Sequence, residues 1–305
     1  MKPFEHIETL DASIFDVNTD SLRIEESSSP KIILLRSIVG SVKIRHILSQ
    51  KEFDQSIDYL DLNNTNPETN PLIRLKNYIS DELPIEDFTA YFANKKLLYQ
   101  NNEFFKRLNN EFTNYYYYEN KHSYTTAFIY VYRILELISY AFPLIYASKT
   151  DDFNGTYSFF KSFFKGNSDS DKGELGFFKS FIKVIFKDNP INESSIRIDI
   201  KGETEDVQQI FFDAIRKVCT RNIFDDDDCD EPRRIAIKFT EYSSFIINVR
   251  NRFFHLFNGG HSNLQSDEII DADYFFSLIN SQSINWICIV LVEILNFSIE
   301  RTTDN

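Results

Sequence analysis

One apolar seam constrains this chain more than any other feature of it. Ile235, Phe239, Tyr242, Ile246, Val249, Phe253 and Leu256 follow one another at alternating steps of four and three residues, the spacing that returns side chains to one face of an α-helix. With Asp230 as an N-cap, Pro232 in the first turn and Gly259-Gly260 as the stop, the pattern predicts one helix of about seven turns. Such a face is stable only when other apolar faces cover it, so the expected architecture is a helical bundle.

The rest of the C-terminal half supplies covering helices. Phe128, Val131, Leu135, Ile138, Phe142 and Ile145 repeat at helical steps, with Pro143 as a kink point. Val207, Ile210, Phe211, Ala214 and Val218 mark another helix, which ends before the acidic run Asp225–Asp228. A last helix is expected from about Asp267 to Arg301, bent near Ser281–Ser283. Between them the near-repeat Phe159-Phe160-Lys161-Ser162-Phe163-Phe164 and Phe177-Phe178-Lys179-Ser180-Phe181-Ile182 predicts two short amphipathic helices. Residues 121–305 therefore read as a helical bundle with a helical insertion. Residues 1–120 read as a smaller, mixed or helical region, with a strand over Lys31–Val39, a loop over Asn63–Pro71 and helix from Pro71 to Asn114. The Tyr115–Tyr118 run followed by Glu119-Asn120 is taken as the junction between the two. The expected fold class is mainly α.

Composition narrows the chemistry. In 305 residues, 42% of them hydrophobic, there is ample material for a buried core. Thirty Phe and sixteen Tyr against eight Gly leave little for glycine-built phosphate loops, and no cofactor-binding fingerprint is found. Cys219, Cys229 and Cys288 are too widely spaced for a zinc knuckle or a disulfide framework, and no compact His/Asp/Glu cluster suggests a metal site, so neither metal nor cofactor is expected. Met1–Leu10 carries Glu5, His6 and Glu8 in place of a leader's basic and apolar segments. Ile284–Phe297, broken by Asn285 and Glu293, is shorter than the roughly 20 apolar residues of a membrane span. A cytoplasmic protein without membrane contact is expected. A net charge of −13 disfavours broad attraction to nucleic acid, so any RNA contact must be a local patch.

One stretch has the makings of a reactive site. Near the end of the seam helix, Val249-Arg250-Asn251-Arg252-Phe253-Phe254-His255-Leu256-Phe257 interrupts an aromatic surface with polar groups. RNA can be cut without a metal if one group moves protons at the 2'-hydroxyl or leaving oxygen while a cation stabilises the phosphate charge. His255 titrates near neutral pH and Arg250 presents a permanently charged fork of donors; Asn251 can orient either. A five-residue step rotates about 140° on a helix, so Arg250 and His255 aim at different faces, whereas Asn251 and His255 share one.

Arg250, Asn251 and His255 together resemble the HEPN superfamily, helical-bundle proteins whose ribonuclease members carry Arg, four to six residues, then His, often with a polar residue directly after the Arg. The resemblance covers residues 121–305 and implies a metal-independent endoribonuclease that leaves 2',3'-cyclic phosphate and 5'-hydroxyl ends. It further implies a bacterial toxin or antiviral defence effector, a homodimer across the Arg250/His255 site, and an inhibitory or activating protein partner. Arg133 and Glu136, on an earlier helix, are the matching choice for supporting charged residues. The expected substrate is single-stranded RNA or a tRNA loop, whose bases can stack on aromatics. Arg252 and the phenylalanine-interleaved lysines, Lys161, Lys165, Lys179 and Lys183 among them, are candidate phosphate contacts. Residues 1–120 are left for sensing or partner binding. His46, His122 and His261 have no partner motif. The alternative is a non-catalytic helical module of the same kind that binds RNA, a nucleotide or a protein partner.

Overall fold

The computed structural model describes residues 3–16, 19–79, 85–149, 189–254, 263–266 and 268–303, with short pieces at 155, 157–158, 178–179, 181–183 and 186–187. About 59% of these residues are helical and the strands form two small sheets, so the fold is mainly α. The chain forms two compact units, Met1–Ile134 with Ile287–Asn305, and Leu135–Trp286.

In the first unit, strands β1 (Phe4–Glu8), β2 (Val42–His46) and β3 (Lys51–Gln55) form an antiparallel sheet in which Ile44 faces His6 and Phe53. Alternation decides the faces: Val42 and Ile44 are buried, while Arg45 reaches across to Glu5 and Glu52 directly opposite. Helix α1 (Pro30–Ile38) occupies the stretch expected as a strand. The reason lies at its start, where the Ser29 hydroxyl accepts from the Ile32 amide and Pro30 fills the first turn. Arg36 of α1 is fully buried; its guanidinium grips Glu8 with both terminal nitrogens and also donates to the carbonyls of Leu22 and Ser41. Every charged donor thus finds an acceptor, which is what burial of a cation demands.

Helices α2 (Pro71–Ile79), α3 (Ile85–Ala93), α4 (Lys95–Leu98) and α5 (Asn102–Asn120) follow, as the helical reading of 71–114 expects. The tyrosine run belongs to the last turns of α5, which ends at Asn120, at the expected junction before a new helix. Tyr115 and Tyr116 are buried against Tyr59, and the chain turns only at Lys121–Ser123. Helix α6 (Tyr124–Lys149) runs on past Pro143, with Phe128, Val131, Leu135 and Ile138 all buried.

The second unit contains a two-stranded sheet that the sequence reading missed. Strands β4 (Ser195–Asp199) and β5 (Arg234–Lys238) pair antiparallel, with helix α7 (Glu205–Lys217) between them in sequence. Asp230, Pro232 and Ile235, expected as the first turns of the long seam helix, instead precede and enter β5, and helix α8 begins only at Tyr242 (Tyr242–Phe254). The seam is nonetheless buried from Ile235 to Val249: Ile235, Phe239, Tyr242, Ile246 and Val249 are all fully covered, while Phe253 is half-buried and Leu256 lies outside the described residues. Ile235, Ala236 and Ile237 are buried in succession, the mark of a strand covered on both faces, so burial at the expected positions came from a different backbone.

Helix α9 (Ala272–Thr303) closes the chain, its first turn capped by the Asp271 carboxylate, which accepts from the Tyr274 amide. Its window Ala272–Glu293 is long and apolar enough to cross a membrane, and 72% of that window is buried inside the protein. Trp286 is the centre of the second unit's core: its indole donates to the Phe239 carbonyl and its ring packs against Phe178, Phe239 and Tyr242.

Candidate functional site

Arg250 and Asn251 stand in the last turns of α8, whose buried side carries Tyr242, Phe245, Ile246 and Val249. Burial of that face fixes the helix and leaves its end at the surface, where Asn251 is exposed and Arg250 half-buried. The Arg250 guanidinium donates through Nη1 to the Asn251 side-chain oxygen at 2.9 Å. That contact occupies one edge of the guanidinium. His255 lies outside the described residues, as do Lys161 and Lys165 of the expected phosphate-binding set and His261.

Arg252 is turned to another task. Its Nη1 donates to the carbonyl of Lys217, the last residue of α7, at 3.1 Å, and its own carbonyl accepts from the Leu264 amide. A guanidinium on the last carbonyls of a helix satisfies an orphan acceptor and complements the helix dipole. A structural role therefore accounts for Arg252. Beside it, the Asn248 amide donates to Cys219 Sγ at 3.6 Å. Burial pushes the Cys219 thiol up to about 12, despite the opposing influence of Asn248, Arg252 and Lys179. A thiol held protonated in this way is no nucleophile.

Lys179 and Lys183 converge on one acid. Their ammonium groups approach the two carboxylate oxygens of Glu241 at 2.5 and 2.6 Å, and the Glu241 side chain is only 9% exposed against 34% and 49% for the lysines. Burial alone would raise the Glu241 carboxyl; the two lysines outweigh it and hold the group below the usual carboxylate range. Glu241 was not anticipated from sequence, although an isolated acid within an apolar seam was a visible signal for a buried partner.

Chains with this sequence match no family model, no curated protein and no solved structure.

Of the supporting residues, Arg133 belongs to the first unit and forms a two-pronged pair with Glu111 at 2.7 and 2.8 Å. Glu136 belongs to the second, where its backbone carbonyl accepts from the Ser139 hydroxyl. The acidic run is engaged in local pairs: Asp225 accepts from Ser195, Asp226 pairs with Arg216, and Asp228 with Arg197. Among the described residues no group of three His, Cys, Asp or Glu side chains could hold a metal ion. His46 packs between Phe4 and Tyr117 and bonds Ser49, and His122 bonds the Tyr124 hydroxyl, so both have structural partners. An aromatic group, Phe253 and Phe254 against Phe276, flanks the motif, with Phe254 38% exposed.

Proposed function

We propose that this protein is a HEPN-like, metal-independent endoribonuclease whose reactive groups are Arg250, Asn251 and His255. The observation that carries the reading is the Arg250-Asn251 pair at the surface end of a buried helix, hydrogen-bonded side chain to side chain, with His255 four positions beyond Asn251 in sequence. In this mechanism His255 takes the proton from a 2'-hydroxyl or returns one to the departing 5'-oxygen. The attacking 2'-oxygen bonds to phosphorus as the P–O5' bond breaks, leaving a 2',3'-cyclic phosphate and a 5'-hydroxyl. Arg250, oriented by Asn251, stabilises the charge that grows on the non-bridging oxygens. Exposed Phe254 offers a ring on which an unstacked base can lie. The substrate is single-stranded RNA or a tRNA loop, and the biological setting is a toxin or defence effector held in check by a partner. A homodimer across the site would supply a second set of the same residues.

The test separates catalysis from binding. In the nuclease, His255→Ala lowers the cleavage rate by at least about a hundredfold, the usual worth of a general acid or base, while RNA binding persists. If His255→Ala is silent and Arg250→Ala abolishes binding, with no cleavage by any form, the protein is a binding module of the same architecture.

A further inference from the structure

The most unusual electrostatic feature outside the motif is the triad Lys179, Lys183 and Glu241. Two ammonium groups that approach one carboxylate within 2.6 Å must also lie close to each other, an arrangement that repels unless the acid stays between them. The acid is the buried member and the lysines are the partly exposed ones, so the ammonium groups spend their charge on a covered carboxylate. Lys179 also bears electrostatically on the Cys219 thiol, as does Arg252. Glu241 immediately precedes α8, so the triad stands at the start of that helix and the Arg250-Asn251 pair near its end.

We propose that Glu241 is an internal counter-anion that masks this lysine pair, so that the patch contributes little to binding nucleic-acid phosphate until the carboxylate is neutralised or withdrawn. The proposal rests on the RNA-binding reading of the site and adds its regulation. The physical reason is a competition between two anions for the same cations. Glu241 acts at contact distance from a largely dry position, where attraction is strong, whereas a phosphodiester approaches from water and is screened by salt. The triad offers the outside one net positive charge in place of two. A partner that pulls Glu241 aside would unmask the pair and raise RNA affinity.

The experiment measures binding of the full-length protein to a fluorescent single-stranded oligonucleotide carrying 2'-O-methyl groups, which cannot be cleaved, over a range of salt. Glu241→Gln keeps the shape and removes the charge. At 0.1 M salt it should tighten binding about fivefold and steepen the logarithmic salt dependence by about 0.7, the increment for one added phosphate contact on a single strand. Placing Lys179→Gln and Lys183→Gln in the Glu241→Gln background should erase that gain. The double variant Lys179→Gln/Lys183→Gln in the wild-type background serves as the second probe should Glu241→Gln fail to fold: with one net charge on offer the salt slope should flatten by about 0.7, whereas two unmasked lysines would cost about 1.4. An unchanged slope in folded Glu241→Gln, a gain that survives loss of the lysines, or a slope flattened by about 1.4 in the double lysine variant would overturn the masking while leaving the RNA reading intact. Absence of binding by every form would overturn both.

Discussion

At the residue scale, the least expected groups are cations in dry places. Lys31 is 2% exposed; its ammonium donates to the Tyr91 hydroxyl at 2.8 Å and the Leu97 carbonyl at 3.0 Å, with the rings of Tyr91 and Phe105 within 5.0 Å. Burial brings its proton affinity down from 10.5 to about 8. The unfolded chain therefore holds this proton when the folded one has lost it, and stability rises with pH between about 8 and the ordinary lysine value. The penalty is present in full below that window. Urea denaturation should show Lys31→Met exceeding the wild type in stability by more at pH 7.5 than at pH 9.5, a comparison in which the buried thiols, which act with the opposite sign, cancel. A second prediction concerns Gly40, in the tight turn between α1 and β2. Its φ is +68°, and a Cβ there would lie 2.5 Å from the Ser56 carbonyl carbon and oxygen. Because that obstruction is backbone, Gly40→Ala should lower stability by more than about 2 kcal/mol, beyond the ordinary cost of a left-handed alanine. The same scale explains what the sequence could reveal of the site. Arg250 and Asn251 are adjacent, so their partnership was legible. The Lys179, Lys183 and Glu241 triad joins residues far apart in the chain, so the acid in the apolar seam hints at a buried partner without naming it.

At the element scale, helices with a regular apolar period were legible and short elements were not. The Val207–Val218 repeat became α7 because its ends agree with its face: the Thr204 hydroxyl accepts from the Val207 amide, Glu205 and Asp206 stand in the first turn, and Arg216 and Lys217 in the last. Thr204→Ala should cost about 1 kcal/mol in a denaturant titration, the usual worth of such a cap. Strand β5 escaped because Ile235 and Phe239 satisfy a helical count by coincidence. The better signal was nearby, in the strict alternation of Ser195-Ile196-Arg197-Ile198-Asp199, with only the isoleucines fully covered. Helix α1 was misread for the opposite reason: Ile32-Ile33-Leu34-Leu35 has no period of its own, and only the Ser29-Pro30 start distinguishes helix from strand. The start of α9 carries strain. Ile270 sits at φ +56° and is 56% exposed, between buried Ile269 and the capping Asp271. A β-branched residue rarely adopts that conformation. Ile270→Gly should raise stability by about 1 kcal/mol, since relief of strain exceeds the loss of a side chain that packs little; a decrease would show that the isoleucine makes contacts that outweigh its strain.

At the scale of the whole molecule, chain order and compactness do not coincide. Residues 287–305 belong with the N-terminal unit and 135–286 form the other, so α6 and α9 each contribute to both. A sequence can show that two helices are long and apolar but not that the far end of one returns to the first unit, because that depends on contacts between distant segments. It could show that the polar motif interrupts an aromatic surface near the end of a covered helix, and α8 carries Arg250 and Asn251 in that setting. The chemistry proposed for that surface is decided by its products. Purified full-length protein and its His255→Ala variant, incubated with total bacterial RNA in excess EDTA, should differ in one respect: only the wild type cuts, and its new ends are 2',3'-cyclic phosphate and 5'-hydroxyl. Equal cleavage by both forms, or ends of another chemistry, would contradict the assignment of Arg250, Asn251 and His255 as the reactive groups.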